Sequence, residues 1–96
     1  MSVYFIVEAK VIDKEVYAQY VEKVRSIVES YNGRYLARGG RVVPIVGDWN
    51  PDRVIIIEFP AIKDMKRWFA SSEYKEIAPL RERSAVTRAI LVEGEG

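Results

Sequence analysis

The chain contains no cysteine and no histidine. The first absence rules out a disulfide, a thiolate nucleophile and any zinc or iron–sulfur centre held by thiolates. The second removes the commonest general base and the commonest metal ligand, and together they exclude a Ser-His or Cys-His mechanism and a haem held by a protein histidine. A haem-dependent reading would need another ligand such as tyrosine. A surplus of one charge is missing too: fifteen basic against fourteen acidic side chains leave a formal net charge of +1, too little to select nucleic acid or an anionic membrane surface. No apolar run is long enough to cross a bilayer, and the segment after Met1 has neither a basic n-region nor a cleavage-site pattern, so a cytoplasmic location is expected. No carboxylate cluster has metal-ligand spacing, so neither metal nor cofactor is expected.

What is present is a chain of 96 residues, 49% apolar and 30% charged with both signs interspersed, the balance of one soluble globular domain over residues 1–96. At this size folding buries roughly two-thirds of the surface of the extended chain, so one core gives modest stability and oligomerisation would add to it. The run 54–59 is too short for a typical helix and too apolar to hold one face in water, and it carries a single carboxylate, Glu58. It reads as a central strand covered on both sides.

Val3–Val11 is rich in β-branched and aromatic residues and reads as a strand. Asp13 is placed to cap a helix whose Val16, Tyr17, Tyr20, Val24, Ile27 and Val28 share one stripe, and Asn32-Gly33 is a left-handed stop signal. Arg34–Arg38 is a second, more polar strand. Gly39-Gly40 breaks it before 41–46 resumes an extended course, where Pro44, unable to donate to a ladder, implies an edge or a bulge. Residues 47–52 are turn chemistry carrying Trp49. After Pro60, Ile62, Met65, Trp68 and Phe69 at helical spacing make a second amphipathic helix, followed by a shorter helical piece through Tyr74 and Ile77 and a new turn expected at Pro79. The last strand is 85–92, and 93–96 reads as a frayed tail.

The order β-α-β-β-α-β is the split βαβ of an α+β, ferredoxin-like fold. Right-handed crossovers place the first and third strands, the two most apolar, in the middle of a four-stranded antiparallel sheet. Both helices then lie on one face. The opposite face keeps alternate apolar residues from four strands, a patch large enough to predict a homodimer that closes two such faces into an α/β barrel.

The segments Tyr31-Asn32-Gly33-Arg34, Arg38-Gly39-Gly40, Gly47-Asp48-Trp49, Arg53 with Glu58-Phe59-Pro60, Trp68 with Ser71 and Tyr74, and Arg81 together resemble the small bacterial proteins of the domain of unknown function 1330 family. The resemblance covers nearly the whole chain. It departs where the family usually has Gly-Gly and this chain has Asn32-Gly33, and where a Ser after Glu-Phe-Pro is replaced by Ala61, which drops a helix cap. It implies a homodimeric α/β barrel with a cavity between sheet and helices or inside the barrel, and no defined activity. Better-known relatives of that superfamily include cofactor-free monooxygenases, lactone isomerases and haem-degrading enzymes, but a shared fold does not transmit a reaction.

Among single residues, Glu58 is the first candidate: a carboxylate on a doubly covered strand is desolvated and needs a partner, for which Arg38, Arg53, Arg81 and Arg88 are available. It is either a general base or ligand anchor, or a structural ion pair at the dimer interface. Arg38-Gly39-Gly40-Arg41 offers an anion nest or, more plainly, a β-bulge. Asp48 and Trp49 form either a lid over a flat substrate or a contact across the dimer seam. Trp68 and Tyr74 fit core packing better than a cofactor box. The resulting expectation is a homodimer binding a small aromatic or acidic organic molecule, with Glu58, Arg38, Trp49, Asp48 and Arg81 at the site. If it is an enzyme, its chemistry is carboxylate-assisted proton abstraction by Glu58, in a cofactor-free monooxygenase or isomerase; the alternative is a non-catalytic ligand-binding or assembly module.

Overall fold

Alternation of Val3, Phe5, Val7 and Ala9 with Tyr4, Ile6 and Glu8 makes the first segment a strand with two different faces, and it forms β1 (Val3–Val11) in the computed structural model, which describes residues 1–95. The chain continues through α1 (Lys14–Ser30), β2 (Arg34–Arg38), β3 (Arg53–Phe59), α2 (Ile62–Ala70), α3 (Ser72–Ser84) and β4 (Ala85–Glu93). The strands make one antiparallel sheet in the order β2-β3-β1-β4, so the two apolar strands take the centre as expected. This is the ferredoxin-like arrangement.

Local signals account for the element ends. Asp13 caps α1 by accepting from the Val16 amide at 3.2 Å. At the other end Asn32 takes φ 69°, its N–H donates to Glu29 O at 3.1 Å, and the Gly33 N–H reaches Val28 O at 2.9 Å. That pair of bonds is a Schellman close, with asparagine rather than glycine in the left-handed position. Ser71 caps α3 by accepting from the Tyr74 amide at 3.1 Å, whereas Ala61 at the head of α2 gives no side-chain cap.

Three expectations need correction. Residues 41–46 pair with no strand among the described residues; the whole of 39–52 is irregular, because Gly39 and Gly47 both adopt positive φ and Pro44 lacks the amide that a ladder requires. The sheet's bulge lies earlier, between Tyr35 and Ala37. Pro79 opens no new turn: it sits inside the continuous 13-residue α3, on its exposed side, where the Lys75 carbonyl left without a donor can be solvated. The tail is pinned at its start, since β4 runs to Glu93 and Gly94 donates to Ser2 O at 2.7 Å; residue 96 lies outside the described residues.

All three helices lie on the face that carries Val3, Phe5, Ile55, Ile57 and Phe59. Between helices and sheet, Trp68, Phe59 and Val28 are fully buried. Trp68 stands edge-on to Phe5 with centroids 5.4 Å apart and lies 4.6 Å from the ring of Tyr74. The opposite face, bearing Ile6, Ile56, Ile90 and Val92, has no element over it, and Ile90 is 61% exposed. No helix among the described residues is long and apolar enough to cross a membrane.

Candidate functional site

The helix layer does not close completely on the sheet. A cavity of about 90 Å³ remains between α1, α2, α3 and the central strands. Its apolar walls are largely aromatic: Phe5 on β1, Tyr17 and Tyr20 on α1, Trp68 and Phe69 on α2, and Tyr74 on α3. It opens where the exposed Phe69 and Ala89 line it, because α3 leaves the β4 side of the sheet only thinly covered.

Strand register places its polar side chains. Ala9 of β1 pairs with Arg53 of β3 on one side and Thr87 of β4 on the other, so Arg53 and Thr87 flank a methyl group on the helix-facing side. Two strand spacings, about 10 Å, separate their backbones. Arg81 Nη1 donates to Thr87 Oγ1 at 2.8 Å and its Nε to the Tyr74 hydroxyl at 3.1 Å, and that hydroxyl pairs with the Tyr20 hydroxyl at 2.9 Å. Arg38 opposes Ile55 across the β2–β3 ladder, lies over the Tyr35 ring at 4.9 Å and donates to Val21 O. Arg53 lies 5.2 Å from the centre of the Tyr17 ring.

The polar lining is rich in donors. Arg38, Arg53 and Arg81 line the cavity, and no carboxylate does. The two ion pairs among the described residues, Arg34–Glu58 and Arg88–Glu8, involve none of the three. Two buried N–H groups, Arg53 Nε and Trp68 Nε1, have no hydrogen-bond partner in the protein, and both residues border this cavity. A buried unsatisfied donor costs about 1–3 kcal/mol. Burial works against the charge on Arg81, yet Tyr74, then Tyr20 and Glu82, outweigh it and raise the guanidinium above its ordinary value. Burial likewise pushes the Tyr20 hydroxyl far up and that of Tyr35 up to about 12, with Arg38 opposing the second shift. Neither phenol is a base at neutral pH.

The residues expected to act together are split. Arg38 and Arg81 meet at the cavity. Glu58 lies on the other face of the sheet, where Arg34 Nη2 donates to its Oε1 at 2.6 Å and the Tyr4 hydroxyl reaches Oε2 at 3.3 Å. The Arg34 hydrogen bond outweighs partial desolvation and lowers its pKa, so it is a weaker base than an ordinary carboxylate. Of the four arginines considered as its partner, Arg88 pairs instead with Glu8. Asp48 and Trp49 are exposed, and the Trp49 indole N–H points to Glu8 Oε2 at 3.4 Å, again on the helix-free side. Trp68 and Tyr74 are core residues, 1% and 3% exposed, and also form cavity wall. Arg53, Thr87 and Tyr20 are polar lining residues that sequence reasoning did not assign to a site; for Arg53 and Thr87 the signal available was their helix-facing parity on the two strands that flank β1.

The family model described as "Domain of unknown function (DUF1330)" matches residues 2–95, and the chain belongs to that family. No protein of curated function is matched in sequence. Among solved structures, a protein of unknown function from Rhodopseudomonas palustris, RPA0582, superposes with TM-score 0.83 at 18% identity, over 99% of this chain and 83% of that one. SnoaB, a cofactor-independent oxygenase from Streptomyces nogalater, gives 0.70 at 10% identity over 99% and 94%. An uncharacterised NIPSNAP domain protein from Burkholderia xenovorans gives 0.65 at 11% over 99% and 95%. At these identities the likeness is one of fold.

Proposed function

We propose that this member of the DUF1330 family is a homodimeric small-molecule-binding protein whose ligand, a compact and partly aromatic organic molecule, occupies the cavity between the helices and the sheet. The observation that carries the reading is the cavity itself: a space walled by aromatic side chains from all three helices and the sheet, with an opening beside Phe69 and Ala89. Apolar enclosure with a few convergent polar groups is the usual form of a ligand site. Binding is favoured over proton abstraction because no carboxylate lines the cavity and its shifted phenols hold their protons. The likeness to SnoaB is one of fold and leaves the chemistry open.

The homodimer is supported by the helix-free sheet face. Ile90, Val86 and Val92 are exposed there, and the segment 39–52, with Ile45 and Val46 each 86% exposed, reaches the same face at Trp49, which meets Glu8 of β1. A second copy would bury this surface.

Native mass spectrometry of the purified protein tests the ligand reading. A small molecule retained by the wild type should be lost in Ala89→Trp, which plugs the mouth from an exposed position and leaves the melting temperature unchanged within about 2 °C, as surface changes usually do. Retention of the adduct in that variant would put the ligand elsewhere.

A further inference from the structure

We infer that the cavity selects a carboxylate borne on a flat aromatic body, and that Arg53 and Arg81, both in its lining, supply the charge that holds it. This rests on the ligand reading above and specifies what that ligand must carry. The first reason is charge. Three guanidiniums border an apolar space with no carboxylate among its lining residues, and the only ion pairs among the described residues lie on the opposite face of the sheet. Arginine cannot shed its proton in a protein, so these charges cannot be neutralised from within and call for an anion.

Hydrogen-bond accounting points the same way. Arg53 Nε and Trp68 Nε1 are buried donors without acceptors, and both residues line the space. Arg81 commits Nε to Tyr74 and Nη1 to Thr87, which fixes the plane of its fork and leaves its remaining N–H groups free. Because the Tyr74 oxygen already accepts from Arg81, its own O–H is available for Tyr20, and the Tyr20 O–H can then face a ligand. A ligand that brings acceptors completes this set, whereas one that brings donors finds few partners.

Shape narrows the class. Arg53 enters the lining from β3, over Tyr17, and Arg81 enters it from the β4 side, where it is bound to Thr87. Gly39 makes room for Arg53: a Cβ there would come within 2.5 Å of its Nη2, so the missing side chain is what lets the guanidinium lie against the end of β2. A planar fork matches a planar carboxylate with two parallel hydrogen bonds, and the rings of Phe5, Tyr17 and Trp68 suit a flat body better than a sugar or a polyphosphate. A cavity of about 90 Å³ suits one ring rather than several.

Titration of ¹⁵N-labelled full-length protein with benzoate and with its neutral isostere benzamide tests this. Benzoate should move the indole N–H resonance of Trp68 and leave that of Trp49, with an affinity at least tenfold above that of benzamide. Arg53→Gln and Arg81→Gln should each weaken benzoate about tenfold without changing benzamide, and Arg53→Lys, which keeps the charge but not the fork, should fall between. Benzamide binding within threefold of benzoate would overturn the carboxylate assignment while leaving a small-molecule cavity standing. If neither compound moves Trp68, both readings fall. The wild-type comparison decides the matter even if a variant does not fold.

Discussion

At the close of α1, two adjacent residues do separate jobs. Asn32 supplies the left-handed backbone at φ 69°, a conformation asparagine tolerates better than most residues, and its side-chain N–H donates across to Asp64 Oδ1 on α2 at 3.3 Å. Gly33 supplies space: a Cβ would stand 2.4 Å from Val28 Cγ1 and 2.7 Å from Phe59 Cε1, both on fully buried side chains with nowhere to retreat. Gly33→Ala should therefore destabilise by about 1–3 kcal/mol through overpacking, while Asn32→Gly, which keeps the left-handed turn and loses the hydrogen bond to the buried Asp64, should cost about 1 kcal/mol, as judged by urea unfolding of the two variants. A loss below about 0.5 kcal/mol for Gly33→Ala would mean that Val28 and Phe59 give way and that crowding does not govern the turn. The Asn-Gly pair was legible in the sequence as a stop signal. Its division of labour was not, because one of the two side chains that forbid a methyl group at Gly33, Phe59, comes from β3, far along the sequence.

The helices show how far local chemistry reaches. Asp13 and Ser71 cap α1 and α3 as their residue types allow, and Ala61 leaves α2 without a cap, the deficit its sequence implied. Ala61→Ser should supply the missing acceptor for the first turn and raise stability by about 1 kcal/mol in thermal unfolding; a loss of stability would show that the extended backbone at φ −152° already has its amides satisfied another way. Pro79 is the counter-case. A proline reads locally as a break, yet α3 runs through it, because Tyr74 and Ile77 are buried and Pro79 faces solvent on the same helix. Packing on the inner side overrides a local preference expressed on the outer one. Strand β2 carries a further instance. Simple alternation would turn Arg38 to the same side as Arg34, but the bulge between Tyr35 and Ala37 shifts the parity by one and brings Arg38 to the helix side, over Tyr35 and into the cavity lining.

For the whole molecule the open sheet face is the feature that a second copy would cover. Ile90 is 61% exposed in one chain, so in a monomer its replacement by aspartate would change stability by no more than about 0.5 kcal/mol. In the proposed homodimer, Ile90→Asp buries a charge against apolar partners and should shift sedimentation velocity from twice the chain mass to the chain mass at micromolar concentration. A wild-type protein that sediments as a single chain would remove the dimer. The same face holds the Arg34–Glu58 and Arg88–Glu8 pairs, whose carboxylates keep lowered pKa values because an arginine hydrogen-bonds each of them.

Strand count, element order and the central place of β1 and β3 were determined by the sequence alone, because apolar alternation, capping residues and crossover handedness act over short stretches and leave few topologies open. The spare charge on one side of the sheet and the paired charge on the other were decided only by tertiary structure. Glu58 and Arg53 sit on the same strand an odd number of residues apart, so they must face opposite ways, but which of them meets the helices depends on where Ile55, Ile57 and Phe59 find their cover. Once those three pack beneath α1 and α2, Arg53 is drawn into the cavity and Glu58 is turned out to Arg34. Burial of the larger apolar set settles the orientation, and the charged residues follow the face they are given.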